Sequence, residues 1–96
     1  MILTGKQRGH LRALAHHRDP VVTLGAGGLT PAVIAEIEQA LDHHELVKVR
    51  FVAGDRAKRH ALFERICALT AAEPIQEIGR VGVIFRPGLK LPRRLR

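Results

Sequence analysis

Apolar residues recur at helical spacing from Leu11 through Leu14 and Ala15, and Thr4 and Gln7 stand ahead of them at the separation of a capping box. This predicts a first helix starting at Thr4 and ending before Pro20, since the residue before proline avoids helical backbone. Residues 21–24 form a short β-branched run that reads as a strand. Thr30 as cap and Pro31 in the first turn open a second helix reaching about His43, with Val33, Ile34, Ile37, Ala40 and Leu41 on one side. Residues 45–53, ELVKVRFVA, then switch to period two. Val47, Val49 and Phe51 point one way and Lys48 and Arg50 the other, which predicts a half-buried strand with its cations outside.

Asp55 caps a third predicted helix running to about Ala71, with Leu62, Ile66 and Leu69 inward and Ala61, Phe63 or Cys67 beside them. The runs PIQEIG and RVGVIFR meet at Gly79–Arg80 and read as an antiparallel hairpin, in which Gly82 marks a bulge or a close contact. The resulting order is αβαβαββ. Two strand–helix–strand passages favour parallel pairing through right-handed crossovers, and the hairpin adds antiparallel pairing. The expectation is an α/β fold: a single domain over residues 1–88 with a mixed four-stranded sheet packed on three helices, followed by a basic tail over residues 89–96.

A chain of 96 residues has room for one modest core, and with 46% apolar residues but only three Phe and no Trp or Tyr that core should be aliphatic. No apolar run approaches the roughly 20 residues of a membrane span and no signal-peptide core precedes the first helix, so a cytoplasmic monomer without membrane contact is expected. Cys67, in a helical pattern beside Ile66 and Leu69, reads as a small buried thiol, and one cysteine forms no internal disulfide.

Charge adds more. Sixteen Lys and Arg against nine Asp and Glu leave +7, which favours a polyanionic partner over a neutral one. The charge is also segregated. No Lys or Arg lies between Asp19 and Val47, where Glu36, Glu38, Asp42 and Glu45 make the second helix acidic outside. Cations gather at Lys6, Arg8, Arg12 and Arg18, at Lys48, Arg50, Arg56, Lys58 and Arg59, and from Arg80 through Arg86 and Lys90 to Arg96, a stretch without acids that reads as a basic arm. Arg56, Lys58 and Arg59 sit in the first turn of the third helix, the positive end of its dipole, where a docked anion or full solvation would offset the repulsion.

Gly25-Ala26-Gly27-Gly28 lies between the first strand and the second helix, the position of a phosphate-binding loop. The lysine of a nucleotide-hydrolase loop is missing, because Leu29-Thr30-Pro31 follows. The dinucleotide fingerprint is met at Gly25 and Gly27 but broken by Thr30. What remains is Gly25-x-x-Gly28, a GxxG loop whose glycines let a nucleic-acid backbone approach the peptide chain, or a tight turn that needs positive φ.

With these pieces in order, the chain resembles the YhbY-like family, also called the chloroplast RNA splicing and ribosome maturation (CRM) domain. The matching blocks are Leu3-Thr4-Gly5-Lys6-Gln7-Arg8 with Leu11-Arg12-Ala13-Leu14-Ala15-His16, then Gly25-Ala26-Gly27-Gly28-Leu29-Thr30, Glu45-Leu46-Val47-Lys48-Val49-Arg50, and Ile78-Gly79-Arg80-Val81. The resemblance implies a compact α/β RNA-binding domain similar to the C-terminal domain of bacterial translation initiation factor three. It also implies association with precursors of the large ribosomal subunit, no catalysis and no cofactor or small-molecule substrate. Carried over, Gly25, Ala26, Gly27 and Gly28 would touch RNA, supported by the first helix and the exposed cations. The family loop commonly has lysine after its first glycine, where this chain has Ala26, so Lys6, Arg8, Lys48 and Arg50 are the cations expected to compensate.

Two other readings compete. His16-His17 and His43-His44 are adjacent pairs that point about 100° apart on a helix and match no recognised ligand spacing for a metal; their protonation at low pH should strengthen RNA binding. The acidic second helix offers a docking face for a basic protein, which makes a protein-interaction module the alternative. With Phe51, Phe63 and Phe85 as its aromatic residues, the chain is expected to read shape and backbone rather than stacked bases.

Overall fold

The computed structural model describes residues 3–88, so the tail expected over residues 89–96 lies outside the described residues. The predicted order is present: α1 Gly5–His16, β1 Val22–Leu24, α2 Pro31–His44, β2 Leu46–Phe51, α3 Arg56–Thr70, β3 Glu73–Ile78 and β4 Val81–Phe85. Each helix start is held as its sequence predicts. Thr4 Oγ1 accepts from the Gln7 N–H at 3.1 Å while the Thr4 N–H donates to Gln7 Oε1 at 2.9 Å, a complete capping box. Thr30 Oγ1 accepts from the Val33 N–H at 3.2 Å, and Asp55 Oδ1 from the Lys58 N–H at 2.9 Å.

The sheet order is β1-β2-β4-β3. β1 and β2 pair in parallel around α2, as expected, whereas β2 and β4, and β4 and β3, pair antiparallel. The second strand–helix–strand passage therefore does not give a directly paired parallel couple, because β4 sits between β2 and β3. The composition of the hairpin explains this. Val83, Ile84 and Phe85 of β4 are buried from both faces of the sheet, which requires a central position. β3 carries Glu73, Pro74, Gln76 and Glu77, and a proline without an N–H is tolerated at an edge. The bulge lies on β3, where the register shifts between Pro74 and Gln76.

Gly82 is instead the close contact: a Cβ built there would lie 2.4 Å from Cδ1 of Phe63. The Phe63 ring occupies that notch and sets the rotation of α3. Phe63, Ile66 and Thr70 consequently face the sheet, Leu62 and Cys67 are half-buried, and Leu69, expected inward, is 54% exposed.

The helices do not all share one face. α2 and α3 cover the larger core of Val22, Leu24, Ile37, Leu41, Val47, Val49, Phe51, Phe63, Ile66 and Ile84. α1 lies across the opposite face on a smaller cluster of Ala15, Leu46, Ile75, Val83 and Phe85, with Leu11 packed beside it and Leu14 turned out. The β2 face expected to be fully outside is thus partly covered. Arg50 is exposed, but Lys48 is half-buried and its Nζ donates to the Arg18 carbonyl at 2.9 Å.

Candidate nucleic-acid interface

Parallel pairing of β1 and β2 brings their carboxyl ends together, the usual location of ligand sites in open α/β sheets. The Val52 N–H donates to the Leu24 carbonyl at 3.0 Å and the Phe51 N–H to the Arg80 carbonyl at 2.7 Å. The glycine loop, the start of α3 and the Gly79–Arg80 turn therefore meet at one end of the sheet.

The loop is a turn closed by the Gly28 N–H on the Gly25 carbonyl at 3.1 Å, with Gly25, Ala26 and Gly27 exposed. Gly28 has φ of +71°, a value that favours glycine. Gly25 and Gly27 have no such backbone, and a Cβ added to either would meet nothing within 4 Å. The fold itself therefore requires a glycine only at Gly28. The tight-turn reading thus holds at Gly28, and the space around Gly25 and Gly27 is open.

Around this end, Arg50, Arg56 and Lys58 are exposed, and their side chains make no hydrogen bond or ion pair with another described residue. Arg59 is half-buried: one Nη donates to the Gly54 carbonyl at 2.8 Å, while its Nε is buried without a partner. Arg56, Arg59, His60, Glu77 and Gly79 line a recess of about 620 Å³ between α3 and the hairpin turn. Arg80 borders this end as well and donates to the Val52 carbonyl at 3.1 Å.

The cations predicted on α1 are elsewhere. Lys6 lines a groove with Glu45, Leu46, Phe85 and Pro87, at the opposite end of the sheet. Arg8 is there too, donating to the Pro74 carbonyl and pairing with Glu73 Oε2 at 3.1 Å. Arg12 is exposed on α1 without a partner among the described residues. Arg86, expected in the basic arm, is mostly buried. It pairs with Glu38 at 2.9 Å and Asp42 at 3.1 Å and donates to the Thr70 carbonyl at 2.7 Å. Two of the acids of α2 are thereby engaged from within, while Glu36 stays exposed.

His60 was not singled out by the sequence. Its Nδ1 lies 2.7 Å from Glu77 Oε1 and its Nε2 3.0 Å from Glu64 Oε1. The hydrogen bond to Glu77, the charge of Glu77 and the charge of Glu64 raise its pKa. The Glu64 contact was readable from i,i+4 spacing, whereas Glu77 arrives only through the fold. Burial, reinforced by the charges of Glu73, Glu77 and Glu64, pushes the Cys67 thiol up to about 11, which keeps it protonated and unreactive at neutral pH. The paired histidines gather no third ligand, and no metal-binding group of three occurs among the described residues. No described helix is long and apolar enough to cross a membrane.

A four-stranded mixed sheet with helices on both faces, its glycine loop beside free cations at the carboxyl ends of two parallel strands, places the chain in a definite structural class of small α/β domains. The chain belongs to the CRS1/YhbY (CRM) domain family, whose family model matches residues 3–86. It is 45% identical over 96 residues to an RNA-binding protein of Haemophilus influenzae, covering 96% of this chain and 97% of that one. A Pseudomonas aeruginosa relative named "probable RNA-binding protein" is 37% identical over 90 residues, covering 94% and 86%. A Staphylococcus aureus protein solved in solution and presented as an RNA-binding candidate superposes with a TM-score of 0.80 at 36% identity, over 93% of each chain.

Proposed function

We propose that this chain is a non-catalytic RNA-binding protein whose single domain, residues 1–88, contacts structured ribosomal RNA and acts in assembly of the large ribosomal subunit in the cytoplasm. The observation that carries this reading is the pair Gly25 and Gly27, which lack side chains although neither space nor backbone conformation demands it. An outside partner that approaches the peptide closely accounts for both. Arg56, Lys58 and Arg50 then supply the phosphate contacts that Ala26 does not. Names of the relatives in Haemophilus influenzae and Pseudomonas aeruginosa support RNA as the partner class.

The alternative, a protein-docking module built on acidic α2, is weakened because Arg86 already engages Glu38 and Asp42. The test is sedimentation of tagged protein in a native lysate beside the Ala26→Asp, Gly27→Asp double variant, with circular dichroism confirming that both fold. Wild type travelling with large-subunit precursor particles while the variant stays at the top supports the reading. Co-migration of both makes the loop only a turn, and absence of both removes the ribosomal assignment. Affinity that falls steeply with salt separates RNA contact from an apolar protein interface.

A further inference from the structure

We infer that the uncovered part of the sheet beside the glycine loop holds one unstacked RNA base, in the groove between His16 at the end of α1 and the β3–β4 hairpin. This inference rests on the RNA-binding reading and deepens it.

α1 seals its face of the sheet over Leu46, Ile75, Val83 and Phe85 and ends at His16. Beyond it the last cross-strand row is left uncovered, and the row before it is only partly covered, with Val83 buried and Lys48 and Gln76 half-buried. Register pairs Thr23 with Arg50, Arg50 with Val81, and Val81 with Ile78, and in the next row Lys48 with Val83 and Val83 with Gln76. Cross-strand partners share a face, so these residues form one surface, and Thr23 stands two residues before Gly25. Ile78 is 62% exposed there and Val81 half-buried, an apolar patch next to cations. His16, Lys48, Gln76, Ile78, Val81 and Val83 enclose about 210 Å³, below the ~300 Å³ at which sites for drug-sized ligands begin, and in keeping with a single ring system.

The chemistry of this groove is selective. Val81 makes an apolar floor, with the buried Val83 at its inner edge. The Gln76 side-chain amide, both donor and acceptor, has no partner among the described residues, and Lys48 spends one N–H on Arg18 and keeps two. Arg50 has a planar, unpaired guanidinium in the same row as Val81. No carboxylate lines the groove. A free phosphate would use the cations but not the floor, and an acidic peptide has no need of an amide presenting both hydrogen-bond senses. A flat, neutral heterocycle joined to an anionic backbone uses all of them, and unpaired bases in loops and bulges are read in this way, against guanidinium planes and through their edges. A paired base in a duplex is not available to such a groove.

The test is an NMR titration of the labelled full chain with single-stranded decamers of uridine, cytidine and adenosine, and with a blunt RNA duplex. The Gln76 side-chain amide and the Val81 and Ile78 methyls are expected to shift with at least one single strand and not with the duplex. Gln76→Ala and Ile78→Ser, both at positions not buried in the core and both charge-neutral, should each weaken that single strand about fivefold or more and leave duplex affinity unchanged. Groove signals that stay still while Gly25–Gly28 shift, or that move equally with duplex, overturn the base site and leave the RNA reading intact. If no signal moves with any RNA, the RNA reading itself fails and the base site with it.

Discussion

The two ends of the sheet use the same residue types differently, although Arg59 and Arg80 hold backbone carbonyls at the open end as well. Where β2 begins and β4 ends, arginines serve the fold: Arg8 engages Glu73 and Pro74, Arg18 donates to the Leu46 carbonyl at 3.1 Å, and Arg86 spans Glu38, Asp42 and Thr70. At the carboxyl ends of β1 and β2, Arg50, Arg56 and Lys58 have no partner among the described residues. Glycines divide similarly. Gly82 is glycine because Phe63 occupies the space a side chain would take, while Gly25 and Gly27 open onto solvent. A net charge of +7 thus overstates the cation surface available to a ligand, and a glycine count conflates packing with access.

The sharpest way to break this contrast is through its glycines. Gly82→Ala drives a methyl group into the Phe63 ring at 2.4 Å, and overpacking of this kind should cost about 2–3 kcal/mol by urea unfolding, part of it recovered by Phe63→Leu in the same chain. A stability within error of wild type would mean that Phe63 moves aside freely and that the notch does not set the rotation of α3. Next comes Arg86→Ala, which strands Glu38 and Asp42 and removes a donor from the Thr70 carbonyl. Because both carboxylates keep roughly 40% of their exposure, about 1–2 kcal/mol is expected rather than the larger cost of a fully buried pair.

The open end should respond in the reverse sense. Arg56→Ala with Lys58→Ala removes two cations from the positive end of the α3 dipole, so stability should stay level or rise by a few tenths of a kcal/mol. RNA affinity should fall, and the slope of log affinity against log salt should flatten by about 1.5–2, as two lost phosphate contacts require. Loss of stability without change in the salt slope would place these residues with the fold-serving arginines instead.

Most of the fold was legible because it is locally encoded. Thr4, Thr30 and Asp55 each cap the helix that follows, and Val47, Val49 and Phe51 of β2 are buried as read, although α1 partly covers the Lys48 face. What was not legible depends on contacts distant in sequence. Leu69 fits an inward helical stripe as well as Phe63 does, and only the Gly82 notch on a strand many residues later decides between them. The position of β4 between β2 and β3 follows from burial on both faces, which a five-residue apolar run does not announce. The glycine loop and the α3 cations were readable as site candidates, but whether an arginine is free depends on which carboxylates and carbonyls the fold brings to it. Arg8 and Arg86 were for that reason indistinguishable from Arg56 in the sequence.

His60 tests where the contrast is least sharp, being a titratable group at the open end that nonetheless has partners. Its pKa is raised in the folded chain, chiefly by the hydrogen bond and charge of Glu77 and then by Glu64, against a weaker opposing push from Arg56. A raised folded pKa means that the stabilisation is fully present below the unfolded value of about 6.5 and is lost as pH rises through the folded value. The melting temperature of wild type should therefore exceed that of Glu77→Gln most at about pH 5.5, and the gap should close towards pH 8, the smallest of these effects because the pair faces solvent. Since the added proton is shared with Glu77 and Glu64, it contributes little to an anion in the neighbouring recess of Arg56 and Arg59, and RNA affinity of His60→Gln should follow wild type across the same range. An affinity that falls with His60→Gln at low pH alone would move this residue from the fold to the ligand, and the boundary between the two ends would then run through α3 itself.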